Sequence, residues 1–544
     1  MPPTHEVFNQ ASPLEDYDVA ADAALTEGLE REGAGWADAE LHELGRIAGT
    51  ARARTWGEQA NTNEPVLRTH DRYGNRIDEV DFHPAWHVLT DIAISYGLHA
   101  APWAEDRAGA HVARAAKFYV WSQVESGHGC PISMTYAAIP ALRHSPDLAA
   151  RYEPLLTSCT YDFGLRPPQS KQGLLAGMSM TEKQGGSDVR ANTTRAVPAS
   201  AGAHLLTGHK WFTSAPMGDL FLTLAQAPEG LTCFLVPRVL ADGSRNALVI
   251  QRLKDKLGNR SNASAELEYD GALAWPVGEP GRGVRTIIEM VNGTRLDCVI
   301  GSAAGMRAGL LQAVHHAAER RAFGKPLIEQ PLMRNVLADL ALESEAATTL
   351  MMRLAGAADR AIRGDSAEAA FRRLAVAIGK FWVTKRLPAH AAETLECLGG
   401  NGYVEESGMP RLFRDSPLNS IWEGSGNVAA LDVLRAMARQ PEGVEAFLAE
   451  LAPAEGADAR FDAAVKRLHA ELADLAEIEF RARGLVELMA LTLQAALLIR
   501  YSPTPVADAF VASRLNGDWG RVFGTLPPTV DTAAIIDRNR PQTA

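Results

Sequence analysis

The stretch LECLGGNGYVEESGMPRLFRDSPLNSIWEGSGN, residues 395–427, decides how the rest of the chain is read. It joins a glycine turn, Gly399-Gly400-Asn401-Gly402-Tyr403, to the hexapeptide Trp422-Glu423-Gly424-Ser425-Gly426-Asn427. A carboxylate set between an indole and a run of small residues is poorly solvated, which favours its neutral form and raises its pKa towards the working pH. Glu423 is therefore the candidate general base. The glycines beside it let a flat ligand approach the backbone closely, because no Cβ stands in the way. Alone, Glu-Gly-Ser-Gly is an ordinary polar turn, and it gains meaning only from its surroundings.

Working outward, helical periodicity runs through residues 284–321, 330–362 and 367–398. Two antiparallel pairs of such helices make a four-helix bundle, a common setting for a buried cofactor edge. Upstream, 205–208, 220–226, 232–237, 248–253 and 265–269 are short runs rich in strand formers, split by Gly, Pro, Asp and Asn, which predicts a small antiparallel barrel or sandwich. Residues 16–165 read as mostly helical, and beyond 440 the segments 443–451, 457–483, 485–501 and 506–515 form a helical extension. The expected fold is mainly α with a β-barrel insert. Its domains are a helical domain at 1–168, a β-barrel at 169–284, a four-helix domain at 285–440 and the extension at 441–544.

The composition agrees with several domains, since 544 residues exceed what one hydrophobic core sustains. With 54 basic and 66 acidic side chains the net charge is -12, which excludes a global basic field for nucleic acid or an anionic membrane. The five cysteines are scattered and lack metal-ligand spacing, so reduced thiols and no metal are expected in a cytoplasmic protein. No signal peptide is read in residues 1–9. The apolar run 488–499 is too short to span a bilayer and reads as a buried helix, so no membrane partner is expected. His83-Pro84-Ala85-Trp86-His87 is given no function, because two histidines without further ligands are usually structural.

Two further constellations carry chemistry. The loop Met178-Ser179-Met180-Thr181-Glu182-Lys183-Gln184-Gly185-Gly186-Ser187-Asp188 offers hydroxyls, glycines and backbone donors of the kind a phosphorylated heteroaromatic ligand needs. Downstream, Lys210-Trp211-Phe212-Thr213-Ser214 sets an aromatic wall beside hydroxyl donors. Together with Arg320-Arg321-Ala322-Phe323-Gly324, the glycine turn and the Glu423 loop, in that order, these motifs resemble the acyl-CoA dehydrogenase family. Thr4-His5-Glu6-Val7-Phe8-Asn9-Gln10, Arg31 to Trp36, Phe82 to His87 and Leu253 to Ala263 are closer still to one branch, the bacterial adaptive-response flavoproteins induced by alkylation damage.

The resemblance implies non-covalent FAD. Met178, Met180, Thr181, Gly186 and Ser187 would line the flavin on one side, and Trp211, Phe212, Thr213 and Ser214 on the other. Arg320 and Phe323 would meet the ADP half from a neighbouring subunit, with Gly399 and Gly400, while Trp422, Gly424, Ser425 and Asn427 close over the cofactor. It also implies a homotetramer built as a dimer of dimers. The implied reaction is α,β-oxidation of an acyl-CoA thioester: Glu423 takes the α-proton and the β-hydride passes to the flavin. The base used in another branch would fall at Thr294, so Glu423 is the sole candidate, with Arg295 beside it to orient or ionise it. Glu396 stands where many family members carry glutamine; a salt bridge to an arginine would account for it.

The resemblance carries an alternative function, a double-stranded-DNA-binding protector or detoxifier acting through the extension. Residues 441–544 hold ten basic against fifteen acidic side chains, which is poor for phosphate neutralisation. Arg460, Arg467 and Arg481 nevertheless recur in steps of seven, which on one continuous helix makes a basic stripe. A third reading is a catalytically idle flavoprotein scaffold.

Overall fold

The structure, a computed structural model, describes residues 4–517 and 520–542; positions 1–3 of the expected helical domain and 518, 519, 543 and 544 of the expected extension lie outside the described residues. In chain order the elements begin with helices α1 (Ala23–Arg31), α2 (Asp38–Ala48) and α3 (Ala51–Thr62), then strands β1 (Val66–His70) and β2 (Arg76–Asp81). Next come α4 (Pro84–Ser95), α5 (Ala110–Ser122), α6 (Gly129–Leu142) and α7 (Pro146–Leu156). The β-region comprises β3 (Ala176–Ser179), β4 (Arg195–Pro198), β5 (His204–Ser214), β6 (Leu220–Ala227), β7 (Gly230–Pro237), β8 (Leu248–Leu253) and β9 (Ser264–Val277). After it follow α8 (Gly283–Glu319), a hairpin of β10 (Arg321–Ala322) and β11 (Lys325–Pro326), α9 (Pro331–Ile362), α10 (Ser366–Cys397), α11 (Met409–Asp415) and α12 (Gly426–Arg439). The last helices are α13 (Glu442–Leu451), α14 (Ala459–Ala473), α15 (Ile478–Tyr501), α16 (Thr504–Phe510), the π-turn Val511–Leu515 and α17 (Thr532–Arg538).

The chain divides into two compact units. One, residues 54–110 and 124–297, holds the barrel. Its strands pair in the order β3-β6-β4-β5-β9-β7, and β6 also pairs with β7, which closes the sheet on itself; β8 adds to β9. Closure leaves no long open edge between these strands. The interior is filled by inward-facing Leu206, Phe221, Phe234, Val236, Ile250, Leu267 and Tyr269, all buried. The apolar run from Leu220 to Ala225 is buried on both faces, so it shows no alternation.

The other unit, residues 1–53, 111–123 and 298–544, is helical. Its centre is α9 against α10, with α12 packed on α10. The extension is not a loose appendage: α15 lies against α9, α10 and α12, and buries almost all of its residues from Leu485 to Leu498. Among the described residues α15 alone is long and apolar enough to cross a membrane, and most of that length is inside this unit.

Two expectations are corrected. The helical reading of 16–165 missed the β1–β2 hairpin, whose turn is built locally: Asp71 Oδ1 accepts from Tyr73 N at 2.8 Å and Asn75 N at 2.9 Å, and Gly74 takes φ +84°. The segment 457–483 is not one helix. It breaks after Ala473, where Asp474 Oδ1 accepts from Ala476 N at 2.9 Å and Glu477 adopts φ +48°. Asp474 offers its backbone a turn instead of a continued helix, as aspartates commonly do.

Candidate active site

In the helical unit, the Glu423 loop leads into α12 and is held from two sides. Asn419 is the hinge: its Oδ1 accepts from Trp422 Nε1 at 3.0 Å and its Nδ2 donates to Ser302 Oγ on α8 at 3.1 Å. Lys380, on α10 and 1 % exposed, donates its ammonium to the Gly424 carbonyl. Between these two anchors Glu423 is half-buried and adopts φ +56°, followed by Gly424 at φ +102°. Left-handed backbone is natural for the glycine and strained for the glutamate, and such strain persists only where the surroundings enforce it. Gly426, buried, starts α12; Ser425 and Asn427 on either side are exposed.

The glycine turn folds as a short 3₁₀ segment, Gly399–Tyr403. Gly399 takes φ +61°, and a side chain at either Gly399 or Gly400 would meet open space. At Gly402 a Cβ would lie 2.1 Å from the Leu395 carbonyl oxygen, so only glycine lets the turn close against α10. Glu396 is exposed and makes no salt bridge among the described residues; its charge instead contributes, after burial, to raising the Glu393 carboxyl above its ordinary range.

At the end of α8, Arg320 donates to the Asn9 carbonyl, while Asn9 Nδ2 reaches Arg321 O at 3.0 Å and Arg321 N reaches Asn9 Oδ1 at 2.8 Å. These bonds fix the β10–β11 hairpin, at whose tip Phe323 stands 98 % exposed with φ +52°.

In the barrel unit, β3 carries Met178 inside, and the chain emerges at half-buried Met180 and Thr181. Trp211 N donates to Thr181 O at 2.8 Å. A Cβ at Gly186 would sit 2.4 Å from Thr181 Oγ1, so the missing side chain makes room for that hydroxyl. Ser187 and Phe212 are exposed and Ser214 is half-buried, whereas Thr213 is fully buried with its hydroxyl against Ser179. One face of Trp211 is covered by the Lys254 ammonium, 3.2 Å from the ring centroid, so a flat ligand has only the opposite face or edge. Arg295 is buried on α8, and the preceding Thr294 donates its hydroxyl back to Val291 O at 3.1 Å, offering no carboxylate there.

Sequence reading passed over the groups that hold these loops. Glu182 is fully buried, bonded to Lys210 Nζ at 3.0 Å, Thr193 N at 2.6 Å and Thr194 N at 3.1 Å. Burial pushes its carboxyl up, but the Thr193 amide and the Lys210 charge override this and hold it well below the usual carboxylate range. Lys210 also donates to Leu224 O at 2.8 Å, so the pair ties the loop to the barrel. Polar residues so close to the glycines of the loop were its only sequence signal. Lys380 had none, because it lies 44 positions from the carbonyl it binds.

The expected basic stripe is also corrected. Arg460 on α14 pairs with Asp458 at 2.6 Å and Asp508 at 2.5 Å. Arg481 belongs to α15, beyond the break, and pairs with Glu471 and Asp474. Of the three, Arg467 alone is exposed and makes no ion pair among the described residues. Among the described residues no group of three or more His, Cys, Asp or Glu side chains could hold a metal ion.

A closed barrel flanked in sequence by helical segments is the domain order of the flavin-dependent acyl thioester dehydrogenases. Residues 281–438 match the acyl-CoA dehydrogenase C-terminal domain and 177–272 its middle domain, and the chain belongs to that family as an FAD-dependent oxidoreductase. Within it the chain falls in the AidB branch: residues 9–163 match the N-terminal domain of the adaptive response protein AidB. It is 48 % identical to AidB of Escherichia coli (strain K12) over 520 residues, 94 % of this chain and 95 % of that protein. Among solved structures it is similar to Caenorhabditis elegans ACDH-11 in complex with C11-CoA (28 % identity, TM-score 0.85, covering 94 % of this chain and 92 % of that one). It is also similar to the apo-form of Bd2924 (31 % identity, TM-score 0.83, covering 91 % and 100 %).

Proposed function

We propose that the protein oxidises an acyl-CoA thioester at its α,β-bond with Glu423 as general base, acting as a homotetramer. The observation that supports this best is the Glu423 backbone, held at φ +56° between the Asn419-anchored Trp422 and the Lys380-anchored Gly424. A half-buried glutamate whose backbone is strained and whose two neighbours are fixed is arranged for positioning rather than for stability.

Each unit taken by itself carries residues that suit FAD: in the barrel unit the Gly186 gap beside Thr181 with exposed Ser187, and in the helical unit the unobstructed Gly399 and Gly400 with exposed Ser425 and Asn427, offer backbone and hydroxyl donors without side-chain obstruction. FAD, when bound, supplies the hydride acceptor. Glu423 removes the proton α to the thioester carbonyl, and the bonds of Asn419 to Trp422 and of Lys380 to Gly424 fix the backbone that carries it. The almost fully exposed Phe323, on a hairpin braced by Asn9, supports contact with a second copy of the chain, consistent with a dimer of dimers. The similarity to ACDH-11, solved with C11-CoA, supports a fatty acyl-CoA as substrate. Duplex DNA binding finds no comparable support, because Arg460 and Arg481 are already neutralised by carboxylates.

The test is anaerobic titration with straight and branched acyl-CoAs, following loss of flavin absorbance. Wild type is expected to bleach with a matching chain. Glu423→Gln is expected to retain the flavin and lose bleaching by at least about 10²-fold, the scale of general-base catalysis. Bleaching at the wild-type rate in the variant would remove Glu423 as base.

A further inference from the structure

The start of α12 is approached by two cations from different parts of the helical unit. Lys385 comes from α10: a Cβ on Gly426 would lie 2.5 Å from its Cε and 2.7 Å from its Nζ, so its side chain rests against the first residue of the helix. Arg483 comes from α15 and donates through Nη1 to Asn427 Oδ1 at 3.3 Å. Both lean on one ring, Phe381, with the Lys385 Nζ 5.7 Å and the Arg483 guanidinium carbon 5.8 Å from its centroid. Neither has a carboxylate partner among the described residues, whereas Arg353 and Arg514 in the same unit are paired with acids. Burial first, and the Arg483 charge second, lower the affinity of Lys385 for its proton.

Two like charges gathered without a counter-ion repel each other, and that repulsion is relieved when an anion sits between them. A planar guanidinium fork and an ammonium point charge together suit phosphate oxygens, one by directional paired bonds and the other by charge. The exposed Ser425 hydroxyl and Asn427 amide lie on the adjoining residues. The chain as a whole carries -12, so an anion is held here only by such local charge.

We propose that Lys385 and Arg483, with Ser425 and Asn427, form a phosphate-binding site for a nucleotide ligand, and that α15 of the C-terminal extension delivers Arg483 to it. The site adds a role for the extension to the dehydrogenase reading and rests on that reading for the nature of its ligand. Two sources share the chemistry, the pyrophosphate of FAD and the phosphates of a coenzyme A thioester.

The experiment uses the full-length protein as wild type, Lys385→Gln, Arg483→Gln and Arg483→Lys, with Arg467→Gln as an exposed control. Three probes are measured: inorganic pyrophosphate and coenzyme A by titration calorimetry, and FAD by recovery of free-flavin fluorescence on dilution. Both glutamine variants are expected to weaken pyrophosphate binding roughly 10- to 100-fold, the scale of losing one charge-assisted contact, and to flatten its salt dependence. Arg483→Lys is expected to recover part of the loss, and Arg467→Gln to match wild type. A parallel loss of FAD identifies the dinucleotide as the source, and a loss of coenzyme A alone identifies the thioester. Unchanged binding of all three probes in variants with wild-type circular dichroism overturns the proposal. If wild type holds no flavin, the dehydrogenase reading falls, while the pyrophosphate titrations still decide this site.

Discussion

Replacing Arg514 by methionine tests whether the extension is locked into the helical unit by buried charge. Arg514 lies in the π-turn after α16 with its side chain fully buried, and its Nη2 is 2.5 Å from Asp339 Oδ1 and 3.1 Å from Glu343 Oε2, both on α9. Glu343 keeps a second partner, Arg386 at 3.0 Å, whereas Asp339 loses its guanidinium. Breaking a buried pair from one side leaves a charge with less compensation, a loss of about 3–5 kcal/mol. The acid limb gives an independent check. Burial raises the Glu343 carboxyl, but Arg386 and Arg514 pull it down from 4.5 to about 2. Its folded-state pKa is therefore depressed, so its contribution, about 3 kcal/mol, is present above pH 4.5 and is lost as pH falls towards 2. In Arg514→Met the carboxyl moves back towards its ordinary value and this acid sensitivity shrinks. Denaturant unfolding at neutral and acid pH, with hydrogen exchange of α9 and Val511–Leu515 to localise the change, reads both effects. A loss below about 1 kcal/mol together with an unaltered acid limb would refute the reasoning.

Three further outcomes are expected. His390 is fully buried, and burial lowers its pKa from 6.5 to about 4, so its contribution is complete above pH 6.5 and is lost as pH falls towards 4; His390→Gln should remove roughly 3 kcal/mol of that pH dependence in unfolding measurements. Lys210→Met leaves buried Glu182 without its ammonium, so thermal unfolding of the barrel should shift downward by the equivalent of about 3–5 kcal/mol and flavin release should accelerate, since Thr181 is adjacent. Gly402→Ala forces a Cβ to 2.1 Å from the Leu395 carbonyl, where backbone must move; the expected loss is about 1–3 kcal/mol, read by denaturation, with no comparable loss for Gly400→Ala, whose Cβ meets open space.

Much of the barrel was legible because its strands announce themselves locally: 220–226 and 232–237 are short apolar runs bounded by turn residues, and the structure places strands there. The long helices at 331–362 and 366–397 were equally plain from sustained periodicity. Where the reading failed, a local polar signal competed with a regional trend. Asp71 to Asn75 turns the chain within a helix-rich region, and Asp474 ends a helix whose arginine spacing invited continuation.

The amino-acid order by itself determined the family motifs and which short segments carry glycine, hydroxyl and carboxylate groups, because those depend on neighbours in the chain. It also marked Glu423, since an indole on one side and glycines on the other are adjacent residues. What only the tertiary structure decided is how each motif is held: Lys380 on the Gly424 carbonyl, Asn419 bridging to Ser302, Lys254 against Trp211, and Arg483 beside Asn427. These contacts join residues 43 to 117 positions apart in sequence, so no window of local pattern contains both partners. They arise only when packing of the apolar helix faces and closure of the barrel bring distant polar groups to one place, where burial makes each unpaired charge unfavourable and thereby selects its partner.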